Sequence, residues 1–281
     1  MANLESALAG GDLDELERAA AALDRLVEVS LGFARSAPGV EYAVSIVKAI
    51  LVALALRLFL IEAYQIPSGS MIPSLLIGDH IFVNKLSYGV RLPVVHWQPL
   101  HWGGHRRGDV VVFAQPLDDD LPLLERRDFI KRIAGLPGDT VEVKGEVLHV
   151  NGEPQPRRLV QERLRFYDRL GDAGPWTGAY GQLWEERLEN ADGRGVSHAV
   201  LRDGDRIHFP YEGPFRVPLG HLFMMGDNRD NSQDGRAGGW FVPLDHVKGR
   251  ALFIWWSWGK PGTGSPDEPG IRLERMFRSV R

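Results

Sequence analysis

The chain is 281 residues long, with 33 basic and 37 acidic side chains and a formal net charge of −4. Apolar residues make up 44% and charged residues 25%, which excludes a wholly disordered chain, and the slight acidity leaves no footprint for a nucleic-acid partner. Cysteine is absent, which removes disulfides, thiolate nucleophiles and cysteine-held zinc or iron–sulfur centres in one step.

Residues 1–41 are predicted to form an amphipathic helical segment, on the cytoplasmic side of the span that follows. Asp12 and Glu15 have capping-box spacing, with Asp in place of Ser or Thr, and Leu13, Leu16, Ala20, Leu23 and Val27 form an apolar stripe opposite Asp14, Glu17, Asp24 and Glu28. An ordinary amphipathic helix and a partner-binding or coiled-coil segment both fit this pattern. Ser36-Ala37-Pro38-Gly39 stops it. A transmembrane helix is expected over 42–62: between 42 and 61 only Ser45, Lys48 and Arg57 are polar. Twenty residues at about 1.5 Å each span roughly 30 Å, the thickness of a bilayer core. A buried core helix is the other reading. The run starts too late for a cleaved leader, and no small-x-small site follows it. Basic residues flank it on both sides, so charge alone leaves the orientation open.

From residue 63 the pattern changes to short β-branched runs separated by turns. The fold class expected is mostly β: an antiparallel β-sheet catalytic domain with an inserted smaller subdomain, preceded by the transmembrane helix and the N-terminal amphipathic helix. Strands are read at 109–113, 128–133, 140–143, 146–150, 206–209 and 251–256, with turns at Lys144-Gly145 and Asn151-Gly152. The catalytic domain covers 63–281, its core about 63–153 and 206–258. Residues 154–205 are polar, rich in Arg and Glu, and are read as the insertion.

Three stretches carry residues fit for chemistry. Ser70 lies in Pro67-Ser68-Gly69-Ser70-Met71-Ile72-Pro73, where the prolines restrict the backbone and Gly69 permits a sharp bend. A serine nucleophile needs a base. His96, His101 and His105 cluster in one loop without carboxylates near them, so neither a histidine base nor a metal site is assigned. Lys131, in Asp128-Phe129-Ile130-Lys131-Arg132-Ile133, shares a strand face with Phe129 and Ile133, and an ammonium pressed between apolar neighbours loses its proton more easily. A neutral lysine beside a serine hydroxyl is a workable general base. The third stretch, 225–236, is dense in Asp, Asn and Arg but lacks the offsets of a calcium loop. Ser45-Ile46-Val47-Lys48 matches S-x-x-K, but inside the apolar run and without S-D-N or K-T-G elements.

Taken in order, these blocks resemble the bacterial type I signal peptidases: an apolar span, then 67–73 with Leu75-Leu76-Ile77-Gly78-Asp79, Arg107-Gly108-Asp109-Val110-Val111-Val112-Phe113, 131–139, and Gly226-Asp227-Asn228-Arg229-Asp230-Asn231-Ser232. The resemblance implies a membrane-anchored serine endopeptidase that removes N-terminal signal peptides from preproteins after small-x-small sites. Ser70 would be the nucleophile and Lys131 the general base. Ser68 and the Ser70 amide would form the oxyanion hole, and Ser232 would orient the lysine amine. Asp234 with Arg236, and Asp227 with Arg132, would be supporting pairs. Gly235 stands where the family usually has Ser. An extended peptide would lie between 64–68 and 128–130, with Tyr64, Ile66, Pro67, Met71, Leu75, Ile81, Asp128, Phe129 and Ile130 around its small side chains. No cofactor and no metal are implied. The partners would be signal peptides, membrane lipid and the secretion translocon, at the outer, periplasmic face of the bacterial cytoplasmic membrane. A self-cleaving Ser-Lys repressor shares the chemistry but needs a DNA-binding N-terminus. An inactive scaffold homologue is the non-enzyme alternative.

Overall fold

A computed structural model describes residues 38–90, 100–118, 120–122, 125–169, 174–203, 213–259 and 270–281, with helical positions 17, 18, 20–22, 24 and 25 before them. The rest of the expected N-terminal helix and the strand read at 206–209 lie outside the described residues. The chain divides into two units, Met1–Leu56 and Arg57–Arg281.

Helix α1, Pro38–Phe59, begins in the first unit and runs to the start of the second, 22 residues with Glu41 in its first turn and Arg57 in its last, the polarity that a helix dipole favours. Val44, Ile46, Val47, Ile50, Leu51 and Val52 are all exposed, and steps of about 100° spread them around the whole helix. Among the described residues no helix is long and apolar enough to cross a membrane. The side chains at 55, 56 and 58 are outside those described. The stretch expected to span over 42–62 is thus a helix whose end comes early, because β1 begins at Ile61.

The second unit is built from antiparallel sheets. We label its longer strands β1 (Ile61–Gln65), β2 (Asp79–Asn84), β3 (Val110–Ala114), β4 (Asp128–Gly135), β5 (Thr140–Lys144), β6 (Val147–Val150), β7 (Arg157–Arg169), β8 (Trp176–Glu189), β9 (Gly195–Arg202), β10 (His221–Met225) and β11 (Val247–Gly259). Among the described residues, β1, β2, β11, β3, β4 and β10 lie side by side in an eight-stranded sheet, completed by Val242–Pro243 beside β10 and Gly270–Ile271 beside β11. β3 explains its own sequence. Val110 and Val112 face one core cluster, with Ile66, Met71, Leu75 and Ile81; Val111 and Phe113 face another, with Ile133, Leu222 and Met224. A strand buried on both faces has no polar side to alternate with, hence the unbroken run.

β5 and β6 join through a turn with Gly145 at φ 52 and Glu146 at φ 70, and Asn151-Gly152 repeats the geometry at φ 55 and 86. Both are the two-residue mirror-image turns that suit right-twisted strands. The first sits one residue later than the sequence suggests.

The polar stretch read as an insertion forms a three-stranded antiparallel sheet, β7-β8-β9. Leu164, Phe166 and Leu201 pack it onto Ile72 and Leu76, just past Ser70.

Candidate active site

The Ser70 loop is fixed from four directions. Ile66 N–H donates to Asp79 O at 2.8 Å and Gly78 N–H to Ile66 O at 2.9 Å, which hold the end of β1. A short 3-10 turn, Gly69–Met71, then places Ser70 at 8% exposure. Asn228 grips it from a distant part of the chain: its N–H donates to Ser70 O at 3.1 Å and its Nδ2 to Gly69 O at 3.0 Å. Only glycine fits at 69, because a Cβ there would overlap the Asp168 carboxylate of β7. That carboxylate accepts from Asn231 Nδ2 and, at 2.8 Å, from Arg169 N–H.

Lys131 arrives from β4. Its Nζ is 2.6 Å from Ser70 Oγ, donates to Ile130 O at 3.1 Å and lies 5.3 Å from the centre of the Phe129 ring. The side chain is 4% exposed. Burial lowers its pKa from the usual lysine range to about 8, against the opposing pull of Asp234 and Asp227. Ser68 stays exposed, its Oγ 3.5 Å from Ser70 Oγ. Ser232 is buried, but its Oγ makes no hydrogen bond, so the expected bond to the lysine amine is not formed. It packs on Gly226 instead, where a Cβ would overlap its hydroxyl.

Both supporting pairs are joined. Arg132 holds Asp227 at 2.7 and 2.6 Å, and Arg236 holds Asp234 at 2.9 and 2.8 Å, with Asp234 also accepting from Gly226 N–H at 2.9 Å. These guanidinium partners keep both buried carboxyls below the usual range, against the desolvation that acts the other way. Gly235 packs against Phe223, whose Cε2 would be 2.6 Å from a Cβ at that position.

The residues expected to face substrate differ in burial: Ile66, Met71, Leu75 and Ile81 are each 2% exposed or less, while Phe129 and Ile130 are half-buried and Pro67 and Asp128 exposed. The Tyr64 hydroxyl lies by the Asp128 and Glu62 carboxylates; burial foremost, then those charges, push its pKa up. Ile66 turns both backbone groups toward β2, and Ile133 turns both toward β3. By alternation, Gln65 points its N–H and C=O to the outer edge of β1, and Ile130 and Asp128 point theirs to the free edge of β4. With Tyr64 beside Asp128 and Ser70 beside Lys131, the two edges can take one added strand between them.

Several residues with no role assigned from sequence complete the site. β8 and β9 supply Glu186 and His198. Arg229 holds Glu186 in a buried two-point ion pair, one contact at 3.0 Å. His198 is fully buried 3.5 Å from Glu186 and 3.8 Å from Asp227, and burial, then Arg132, lowers its pKa to about 4. Leu201 N–H donates to Asp227 O and Arg229 N–H to Leu201 O, each at 2.9 Å, so β9 carries the 226–236 loop. Asn228 stands in a stretch whose polar density was visible. Asp168, Glu186 and His198 carry no local signal. Of the clustered histidines, His105 stacks on Tyr88 with ring centres 3.8 Å apart; His96 and the His101 side chain are outside the described residues.

A serine in a short 3-10 turn beside a buried amine, near a sheet edge open to an added strand, is the equipment of a serine hydrolase acting on extended peptides. Comparison makes the assignment: the family Signal peptidase, peptidase S26, matches residues 39–256, and the chain belongs to that family. It is therefore a serine peptidase. It is 40% identical over 234 residues to a Signal peptidase I of Pseudomonas fluorescens, covering 79% of this chain and 74% of the relative. A Signal peptidase I of Aquifex aeolicus is 35% identical over 248 residues, with 78% and 84% covered. A solved signal peptidase I of Enterococcus faecalis is 21% identical over 52% of this chain and 96% of its own, with a TM-score of 0.27.

Proposed function

We propose that the protein cleaves signal peptides from exported preproteins after small-x-small sites, with Ser70 as nucleophile and Lys131 as general base. The observation that carries this is the 2.6 Å contact between Ser70 Oγ and an amine buried deeply enough to titrate near 8. The substrate joins the sheet between Gln65 and Ile130. Ser70 Oγ attacks the scissile carbonyl while its proton passes to neutral Lys131. Charge on the carbonyl oxygen is met by the Ser70 N–H and the Ser68 hydroxyl. The lysine ammonium then protonates the leaving amine, releasing the mature chain and leaving the signal peptide as an ester on Ser70. Water, deprotonated by Lys131, hydrolyses that ester and restores the serine.

Membrane anchoring through α1, with the catalytic domain on the outer face of the cytoplasmic membrane and the 1–41 segment inside, is part of the proposal. Its support is the exposed aliphatic surface around α1, which water disfavours and lipid accepts. Membrane lipid and the secretion translocon are its proposed neighbours. Cleavage of a preprotein by the wild type, Ser70→Ala and Lys131→Ala tests the core of the reading. Each substitution should abolish nearly all activity and the double mutant should be little worse, because the two groups act as a unit. Substantial cleavage by either single mutant overturns it.

A further inference from the structure

Pro67 borders a cavity of about 500 Å³ at the end of β1, outside the dyad, whose other walls include Gln65, Gly78, Arg169, Trp176 and Trp258. Among the described residues Arg169 is the one charged residue lining it. The guanidinium lies 5.4 Å from the centre of the Trp176 ring, and among the described residues it meets no carboxylate. Its Nε is shut from solvent and makes no hydrogen bond. A half-buried guanidinium beside an indole ring, with no carboxylate partner among the described residues, is equipped for a carboxylate carried on an extended chain.

The position of that carboxylate follows from the direction of the sheet. β1 runs toward Ser70, so a strand with its scissile carbonyl at Ser70 and earlier residues alongside Tyr64 runs parallel to β1. It leaves at the Pro67 end. The residues that follow the scissile bond are then the ones that reach the Arg169–Trp176 wall. We infer that this cavity is a subsite for the first residues of the mature chain and that Arg169 selects acidic side chains there. The inference rests on the cleavage reading above and deepens it: Arg169 acts on substrate choice and Ser70 on the chemistry.

The test uses the full-length protein in detergent micelles and preproteins that differ only at +1, +2 or +3, each carrying Glu, Gln or Lys. At low salt, Glu at one or more of these positions should give a kcat/KM about three- to fivefold above Lys, the size of a partly exposed ion pair. Raising the ionic strength should shrink the ratio. Arg169→Glu should reverse the order, and Arg169→Lys, which keeps the charge, should preserve it. Because each enzyme is compared with itself across substrates, a general loss of activity does not imitate the result. No Glu-over-Lys ratio in the wild type, or the same ratio in Arg169→Glu, overturns the subsite and leaves the Ser70 reading standing. A wild type that fails to cleave an Ala-x-Ala preprotein overturns both.

Discussion

β3 is buried along its whole length and reads as Val110-Val111-Val112-Phe113-Ala114, whereas β7 is largely exposed over 157–163 and turns inward only from Leu164. The eight-stranded sheet is held by aliphatic burial, and two adjacent apolar clusters account for its strands. The three-stranded sheet has few aliphatic anchors, and what it buries against the 226–236 loop is charged or polar: Asp168, Glu186 and His198. The first sheet presents the buried Lys131 amine to Ser70. The second holds the loops around that amine in place through ions. Substitutions in the two should fail in different ways: loss of chemistry with the fold retained in one, loss of stability in the other.

The largest contrast is between Lys131→Met and Glu186→Ala. Lys131→Met should lower kcat/KM by about 10⁴-fold or more, the scale of losing a catalytic base from a unit, while urea or thermal unfolding shows no loss of stability. Glu186→Ala leaves Arg229 buried without its carboxylate, and breaking a buried pair from one side costs about 3–5 kcal/mol. Its unfolding midpoint should fall sharply, with cleavage at low temperature retained far better than in Lys131→Met. Equal losses of stability in the two variants would erase the distinction between the sheets.

A pH series sharpens the same contrast. Lys131 must be neutral to accept the serine proton, so kcat/KM should rise with pH through about 8 and level above it. A profile governed near 6.5 and removed by a histidine substitution would contradict a lysine base. The unfolded chain holds that proton up to the ordinary lysine range, so between about 8 and 10.5 it binds more protons than the folded chain, and stability rises with pH there. His198 acts in the acid range. Its folded pKa of about 4 lies below the usual 6.5, so the stability it contributes is present above 6.5 and lost as pH falls toward 4. His198→Gln should flatten the acid limb of the stability curve and leave the rise above pH 8 unchanged; an unaltered acid limb would remove His198 from the account.

Legibility in the sequence follows the same division. Ser70 and Lys131 carry local signals, one prolines and a glycine around a bend, the other an apolar strand face interrupted by an amine. A plain turn and a snorkelling lysine fit those signals too, and the order of the family blocks is what singled them out. Of the main sheet, β3, β4 and part of β11 were legible because period and turn residues are short-range signals, whereas β1 and β2 were not read as strands. Asn228 was visible only as part of a polar loop, because its partner Gly69 is 159 residues away. Glu186 and Arg229 are 43 apart, and neither has neighbours that hint at burial. Asp168 reads as one more charge in a polar hairpin, yet its carboxylate fills the space that makes Gly69 obligatory. A glycine's need is written by what packs on it, and sequence shows the glycine alone. The bond expected from Ser232 to Lys131 came from family resemblance, and here the hydroxyl is turned elsewhere.

The smallest effect concerns the departure at Gly235. Its backbone is not in the left-handed region, so a serine is conformationally allowed and the obstacle is Phe223. A Cβ would lie 2.6, 2.9 and 3.1 Å from three atoms of that ring. Phe223 cannot easily yield: it is fully buried and stacked on Phe215 with ring centres 4.9 Å apart. Nor can residue 235 retreat, because its N–H donates to Met224 O at 3.0 Å. Restoring the family's serine by Gly235→Ser should therefore overpack the site and lower stability by about 1–3 kcal/mol. Since the three nearest atoms to that Cβ all belong to the Phe223 ring, kcat/KM should change little at temperatures where the variant is folded. Phe223→Leu removes ring atoms and should lower stability on its own through the cavity it leaves. Combined, the two changes should lose less than the sum of the single losses, because the serine occupies part of the vacated space. Strictly additive losses in unfolding experiments would show that Phe223 is not what keeps position 235 a glycine.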